Sequence, residues 1–397
     1  MRRLIPLFLA ALPAAGAAQE LVVWHAYRAG EKAAFEKVVA AYNARPSARV
    51  RVSTLAVPYD AFADKISAAV PRGKGPDVFI YAQDRMGGWI EAGNTVDPID
   101  FFVDDALKGR FIATTVEALS YRGSLWGLPL NYKVITLLYN RKVLKAPPKT
   151  TAELVKVGRS LTSKAGGTFG LAWAYNDFYY VASLLNGFGG GVFAAGATPT
   201  LNRAENLKAL DLLVSWGKAG FMPAEPSVAL ITALFNEGKA AMVLSGPWFL
   251  GEVAKDVDVG LAPLPAISEA GGAPMRPWMT VEGVFVAAPS KQKEAAFEFA
   301  KYLTDLEAAK VLALEGRQTP ALRAVYDDPR VKADAVLAAF RKQVEVAVPM
   351  PNLPEMTMVW SPATTALAKV NAGVSPRAAM DVAQKAVEKD VANLRKR

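Results

Sequence analysis

Leu21-Val22-Val23-Trp24-His25-Ala26 opens the stretch that decides the fold, and Asp77-Val78-Phe79-Ile80-Tyr81 closes it. The first run is apolar with β-branched members and reads as a strand. Phe35, Val38, Val39 and Tyr42 then recur at i, i+3, i+4 and i+7, which is one face of a helix. Ala48 to Ala56 alternates, with Val50 and Val52 set against Arg49 and Arg51, as a half-buried strand does. Phe62, Ile66 and Val70 mark a second helix, which Gly73 to Pro76 breaks before the short buried strand of Asp77 to Tyr81. A βαβαβ rhythm predicts an open parallel sheet with helices on both faces. Such sheets bind ligands at the carboxyl ends of their strands, in the crevice where strand order reverses.

The rhythm continues without becoming one long sheet. Trp126 to Asn140 is a near-continuous strand signal interrupted by polar Asn131 and Lys133. A helix is expected over Thr151 to Leu161, a strand over Thr168 to Ala174, and helices over Leu207 to Trp216 and Ala229 to Phe235, the last stopped by Gly238. Ala240 to Leu244, Val257 to Ala262 and Val281 to Ala287 read as strands, and Ala296, Phe299, Ala300 and Leu303 as a helix face. No repeat of fixed period is visible. The fold class is therefore α/β, with two lobes sharing a chain that crosses between them more than once.

The chain's 397 residues suffice for two buried domains. It has no cysteine and a single histidine, His25. That excludes disulfide scaffolds, thiol nucleophiles and multi-histidine metal sites, and leaves His25 as the only base for a serine triad. His25, beside Trp24, reads as a packing histidine. Met1-Arg2-Arg3, the apolar Leu4 to Leu12 and the small residues up to Ala18 read as an export signal over 1–18, with cleavage before Gln19. With no cysteine to carry a lipid, a free periplasmic protein is expected. Formal charge is +9, and loss of Arg2 and Arg3 leaves +7. The basic residues are dispersed among acids with no block of five like charges, so no nucleic-acid partner is expected. Gly187-Phe188-Gly189-Gly190-Gly191 lacks the Gly-Lys-Ser/Thr ending of a phosphate loop and reads as an ordinary loop.

Four segments carry a family pattern. They are Tyr81-Ala82-Gln83-Asp84-Arg85-Met86-Gly87-Gly88-Trp89, Phe235-Asn236-Glu237-Gly238-Lys239-Ala240-Ala241-Met242, Ser245-Gly246-Pro247-Trp248 and Val348-Pro349-Met350-Pro351-Asn352-Leu353-Pro354-Glu355-Met356. Together with Trp24 they resemble the maltose/maltodextrin-type extracellular solute-binding proteins of ABC importers, in order over the whole mature chain. The resemblance implies a type II periplasmic-binding-protein fold, with two α/β lobes of mixed open sheets, a hinge crossed several times and the ligand closed between the lobes. It implies an oligosaccharide ligand, membrane permease subunits as partners, a monomer, and no cofactor, metal or catalysis.

Sugars present an apolar C–H face and a rim of hydroxyls, so their sites need flat aromatics beside planar polar groups. Resemblance carries ligand contact onto Tyr81, Asp84 and Arg85, stacking onto Trp248 and Trp360, and an acid–x–aromatic element onto Asp177 and Tyr179. The bland alternatives are a helix cap for Asp84 and core packing for Trp248 and for the aromatic run Tyr175 to Tyr180. Asn131 and Lys133 stand at the hinge, and Lys133 occupies a position where maltodextrin binders carry a carboxylate. With Arg28 it suits another oligosaccharide, or one bearing an acid or phosphate group. Alternatively Glu282, on a probable crossing strand, neutralises Lys133. Ser361 and Thr364 also depart from the maltose pattern.

Two further classes stay open on the residues alone. Asp84, Asp177 and Glu282 could supply the carboxylate pair of a secreted glycoside hydrolase. Tyr179-Tyr180 could serve a ferric-ion or anionic-solute binder. On domains, 19–131 with 284–325 is expected to form the N-terminal lobe and 132–283 with 326–397 the C-terminal lobe. Crossings are expected near Asn131–Lys133, Thr280–Gly283 and Tyr326–Pro329.

Overall fold

The computed structural model describes residues 19–396. The leader expected at 1–18 lies outside the described residues. Strands β1 (Glu20–His25), β2 (Arg51–Ala56), β3 (Val78–Ala82), β4 (Gly127–Lys133), β5 (Thr136–Asn140), β6 (Phe169–Trp173), β7 (Ala240–Ser245), β8 (Val259–Ala262), β9 (Trp278–Val286), β10 (Thr319–Pro320) and β11 (Val348–Pro349) carry two main sheets. The first sheet runs β10-β4-β9-β3-β1-β2, with β11 paired to β9. In it β1 lies parallel to β2 and β3, as the βαβαβ rhythm predicts, while β9 runs antiparallel to both β3 and β4. The second sheet runs β8-β5-β7-β6.

Strand alternation assigns each sheet face its core. In the second sheet Leu137, Leu171, Met242 and Leu244 point into one cluster, while Leu138, Ala172 and Val243 point into another. A sheet buried on both faces needs the continuous apolar runs these strands have. The first sheet gathers its own core, from Leu21 and Phe35 to Phe285 and Phe340.

The chain changes core at three places, the first two beside the expected crossings and the third well beyond its own. The first switch falls between Val134 and Ile135, which splits the single strand expected over Trp126 to Asn140 into β4 of one sheet and β5 of the other. The second falls between Trp278 and Met279, within β9, so Met279 and Val281 belong to the first core rather than the second. The third lies between Phe340 and Met350, well beyond Tyr326–Pro329. Residues 326–340 are thereby corrected to the first lobe. Val331, Leu337 and Phe340 sit on the apolar faces of helices Pro329–Ala333 and Ala335–Val344, and those faces find cover there.

Candidate functional site

The first lobe's contribution begins where β3 ends. Gln83, Asp84 and Arg85 form one tight turn leading into helix Met86–Ala92. Gln83 is fully buried: its Oε1 accepts from the Val281 amide of β9 at 2.7 Å, and its Nε2 donates to the Met350 carbonyl at 3.1 Å. The turn is thus tied to two segments that cross between lobes. The Met350-to-Pro354 segment explains itself in the same way. Asn352 donates to the carbonyls of Ala118 (2.9 Å) and Ser120 (3.0 Å), and its own carbonyl accepts from the Gly87 amide (3.1 Å). A Cβ at Gly87 would overlap that Asn352 carbonyl, so the approach requires glycine.

Asp84 is 3% exposed, with Oδ2 at 3.2 Å from the Arg85 guanidinium. Burial pushes its carboxyl up to about 6, against the lowering influence of Arg85 and of the Trp360 indole. Oδ1 of Asp84 and Nε1 of Trp360 are buried without a hydrogen-bond partner, and Nε of Arg85 has only its ion pair with Asp84 Oδ2. The Arg85 guanidinium lies 5.6 Å from the Trp360 ring centroid. Such orphaned polar atoms are costly unless something else satisfies them.

Tyr81 does not join them at the surface. It is 4% exposed, stacked on Phe62 (4.9 Å, 7° between planes) and on Tyr59 (5.0 Å, 25°), which leaves no open face for a ligand. In this structure it packs between two rings rather than facing the junction. Sequence spacing gave no sign that the residue on its outer side would be Tyr59.

Across the junction the second lobe presents a cluster of aromatics. Trp248 follows β7 and the Gly246-Pro247 turn, is partly exposed, and lies 6.2 Å from the Tyr179 ring. Its ring lies directly over Gly246, where a Cβ would penetrate it. Tyr179 sits 6.3 Å from Trp278, and Trp278 makes an edge contact with Trp360 at 5.8 Å. The Tyr179 hydroxyl is another buried atom without a partner. Asp177 is exposed and caps helix Phe178–Gly187, with Oδ1 accepting from the Tyr179 amide at 2.9 Å. Tyr179 and Tyr180 stand at 86° to each other rather than side by side.

Between these walls lies a buried ionic group. Lys133 Nζ is 2.9 Å from Glu31 Oε1 and 3.0 Å from Glu282 Oε1. The Tyr27 hydroxyl donates to Glu282 Oε2 at 2.9 Å, and Asn131 donates to Gln318 Oε1 (2.9 Å) and to the Tyr27 hydroxyl (3.3 Å). Two carboxylates hold the Lys133 ammonium charged well above its usual range, although burial opposes this. Glu31 is raised by burial and by the neighbouring Glu282 against the pull of Lys133. The Lys133 ammonium also lies 5.9 Å from the Trp248 ring centroid, reaching toward the other lobe. His25 is buried against Phe35 and Tyr27 and pushed down to about 4, mainly by burial, in keeping with a packing histidine.

Arg28 reaches the second lobe, with Nε at 2.8 Å from Glu252 Oε1, beside a small cavity that Tyr180, Ser245 and Trp248 also line. The structure therefore converges Asp84, Arg85, Tyr179, Trp248 and Trp360 on one junction. It engages Asn131, Lys133, Glu282 and Arg28 with protein partners, and uses Asp177 as a cap. Gln83, Tyr27, Glu31 and Glu252 were not legible, because their partners lie far away in sequence.

The arrangement has counterparts in known proteins. The family model described as bacterial extracellular solute-binding protein matches residues 26–310. The chain is 32% identical over 349 residues to the maltotriose-binding protein of Pyrococcus abyssi, covering 86% of this chain and 75% of that one. It is 27% identical to the galactooligosaccharide-binding protein of Bacillus subtilis, covering 92% and 87%. Among solved structures, the Thermus thermophilus maltotriose binding protein bound with maltotriose superposes with a TM-score of 0.85 at 28% identity, over 94% of this chain and all (100%) of that one.

Proposed function

The chain belongs to the bacterial extracellular solute-binding protein family, and from that premise we propose that it captures a maltooligosaccharide between its lobes and delivers it to the permease of an ABC importer. The observation that carries this reading is the convergence of Trp248, Tyr179 and Trp360 with the Asp84–Arg85 ion pair and the unpartnered polar atoms of Asp84, Tyr179 and Trp360. Rings take the C–H faces of hexoses, and the orphaned groups take their hydroxyls. A sugar touching both walls stabilises the closed arrangement, and that arrangement is what the permease would recognise.

The ligand is uncharged on this reading. Lys133 and Arg28 face three carboxylates, Glu31, Glu282 and Glu252, so neither cation is left over for an acid or phosphate group. Glu282 is bound into that group too, which leaves it a poor partner for Asp84 or Asp177 in hydrolysis. The protein acts as an exported, monomeric periplasmic receptor without chemistry of its own.

Melting the mature protein against maltose, maltotriose, maltotetraose, a galactooligosaccharide and a phosphorylated sugar tests this. A maltooligosaccharide at 1,000 times its dissociation constant adds ~4 kcal/mol and raises the melting temperature. A shift only with the phosphorylated sugar would overturn the neutral-ligand reading. Sugar breakdown abolished by Asp84→Asn would overturn the receptor reading.

A further inference from the structure

We infer that Tyr59 is a sugar-stacking platform of the first lobe, a ligand contact that extends the site proposed above and rests on that reading. Tyr59 is the first residue of helix Tyr59–Ala69, directly after Pro58 and just past the carboxyl end of β2. Because β1, β2 and β3 are parallel, that end shares an edge with the Gln83-Asp84-Arg85 turn after β3. Burial is the main influence raising its phenol, and smaller ones come from its neighbours Tyr81 and Asp84 in its own lobe and Tyr179 in the other. It therefore stands at the mouth between the two walls.

The residue is 52% exposed, yet its ring is not loose. Its inner side stacks on Tyr81, and Tyr81 stacks on Phe62, which is fully buried. This three-ring column runs from the core to the cleft and fixes the outer face of Tyr59 before any ligand arrives. A preset aromatic face spares the ordering cost that a mobile side chain would incur on binding. The other first-lobe aromatics near this edge, Trp24, Tyr27, Tyr81 and Trp89, are buried. Beside them Tyr59 offers the open ring of this edge, on the side of the junction where the second lobe's Tyr179 lies. The matching ligand feature is the C–H face of a hexose unit.

The test titrates the mature wild-type protein and the variants Tyr59→Ala, Tyr59→Leu, Tyr59→Phe and Tyr59→Trp with maltose, maltotriose and maltotetraose by calorimetry. Tyr59→Ala and Tyr59→Leu should bind at least one of these sugars about tenfold more weakly, the scale of one lost ring contact. Tyr59→Phe and Tyr59→Trp should stay within about twofold of wild type. Should Tyr59→Ala fail to fold, Tyr59→Leu still covers Tyr81 while lacking a flat face. Tyr59→Leu binding all three sugars like wild type would overturn this inference alone. Tyr59→Phe losing as much as Tyr59→Ala would also overturn it, since the hydroxyl rather than the face would then be the contact. A wild-type protein that binds none of the three sugars would overturn the maltooligosaccharide reading and this inference with it.

Discussion

Asp84 has conflicting demands placed on it. Burial raises its carboxyl to about 6, whereas an unfolded aspartate titrates near 3.9. Between those values the folded protein holds a proton that the unfolded chain has released. Stability from this group is therefore greatest below about pH 4, and ~3 kcal/mol of it is lost as pH rises through 6. Asp84→Asn should melt higher than unliganded wild type at pH 7, with the two converging at pH 4, while losing sugar affinity. A sugar donating hydroxyls to the ionised carboxylate favours deprotonation. Binding at pH 6 should thus release up to about half a proton, visible as a dependence of calorimetric heat on buffer ionisation enthalpy. Lys133 is the complementary case. Lys133→Met leaves Glu31 and Glu282 buried without their cation and should cost ~3–5 kcal/mol in urea denaturation. Adding Glu31→Gln and Glu282→Gln should recover much of that loss. Asp84, Arg85, Trp248 and Trp360 were named from the family resemblance, and the structure brings them to one junction. The Lys133 group was half legible: Glu282 was named as its neutraliser, but Glu31 lies 102 residues from Lys133 and Tyr27 lies 255 from Glu282, so no local spacing announces either.

Short connecting elements aim the site, and they tolerate little. Gly246 passes beneath the Trp248 ring, so Gly246→Ala must tilt the indole or shift the β7–helix corner. Sugar affinity should drop in titration calorimetry, with only a modest change in unliganded melting. Gly87→Ala strikes a backbone carbonyl that has no room to rotate away. It should cost ~1–3 kcal/mol in thermal unfolding and also disturb the neighbouring Asp84-Arg85 turn. At this scale the sequence was most readable where one element served one sheet, as in the β1-to-β3 rhythm. It was least readable at Trp126 to Asn140. Asn131 and Lys133 mark the neighbourhood of the break, but Val134 and Ile135 on its two sides are apolar and buried, so hydrophobicity does not say that one strand ends and another begins there. The lobe expected for 326–397 failed at helix Ala335–Val344 for a related reason: an apolar stripe guarantees cover but does not say which lobe supplies it.

For the whole molecule, capture depends on contacts that exist only when the lobes meet. Arg28 and Glu252 make one at the rim. Because the arginine side chain is 51% exposed, the pair is worth at most ~1 kcal/mol. Glu252→Gln should weaken sugar affinity by up to about fivefold in low salt, mainly through faster release in stopped-flow measurements, and by less as salt screens the pair. The two-lobed plan was evident from the alternation of elements and from the motif order, whereas the third crossing was not. The position of β9 also has a consequence for how the protein is made. It is the strand between β3 and β4, and it arrives long after both. At roughly 5–20 residues per second, the ribosome adds the stretch of about 145 residues between β4 and β9 over some 7–29 s. Throughout that interval the nascent first lobe carries two open strand edges, so a chain whose synthesis stops before Trp278 should be prone to edge-to-edge aggregation rather than yield half of a working receptor.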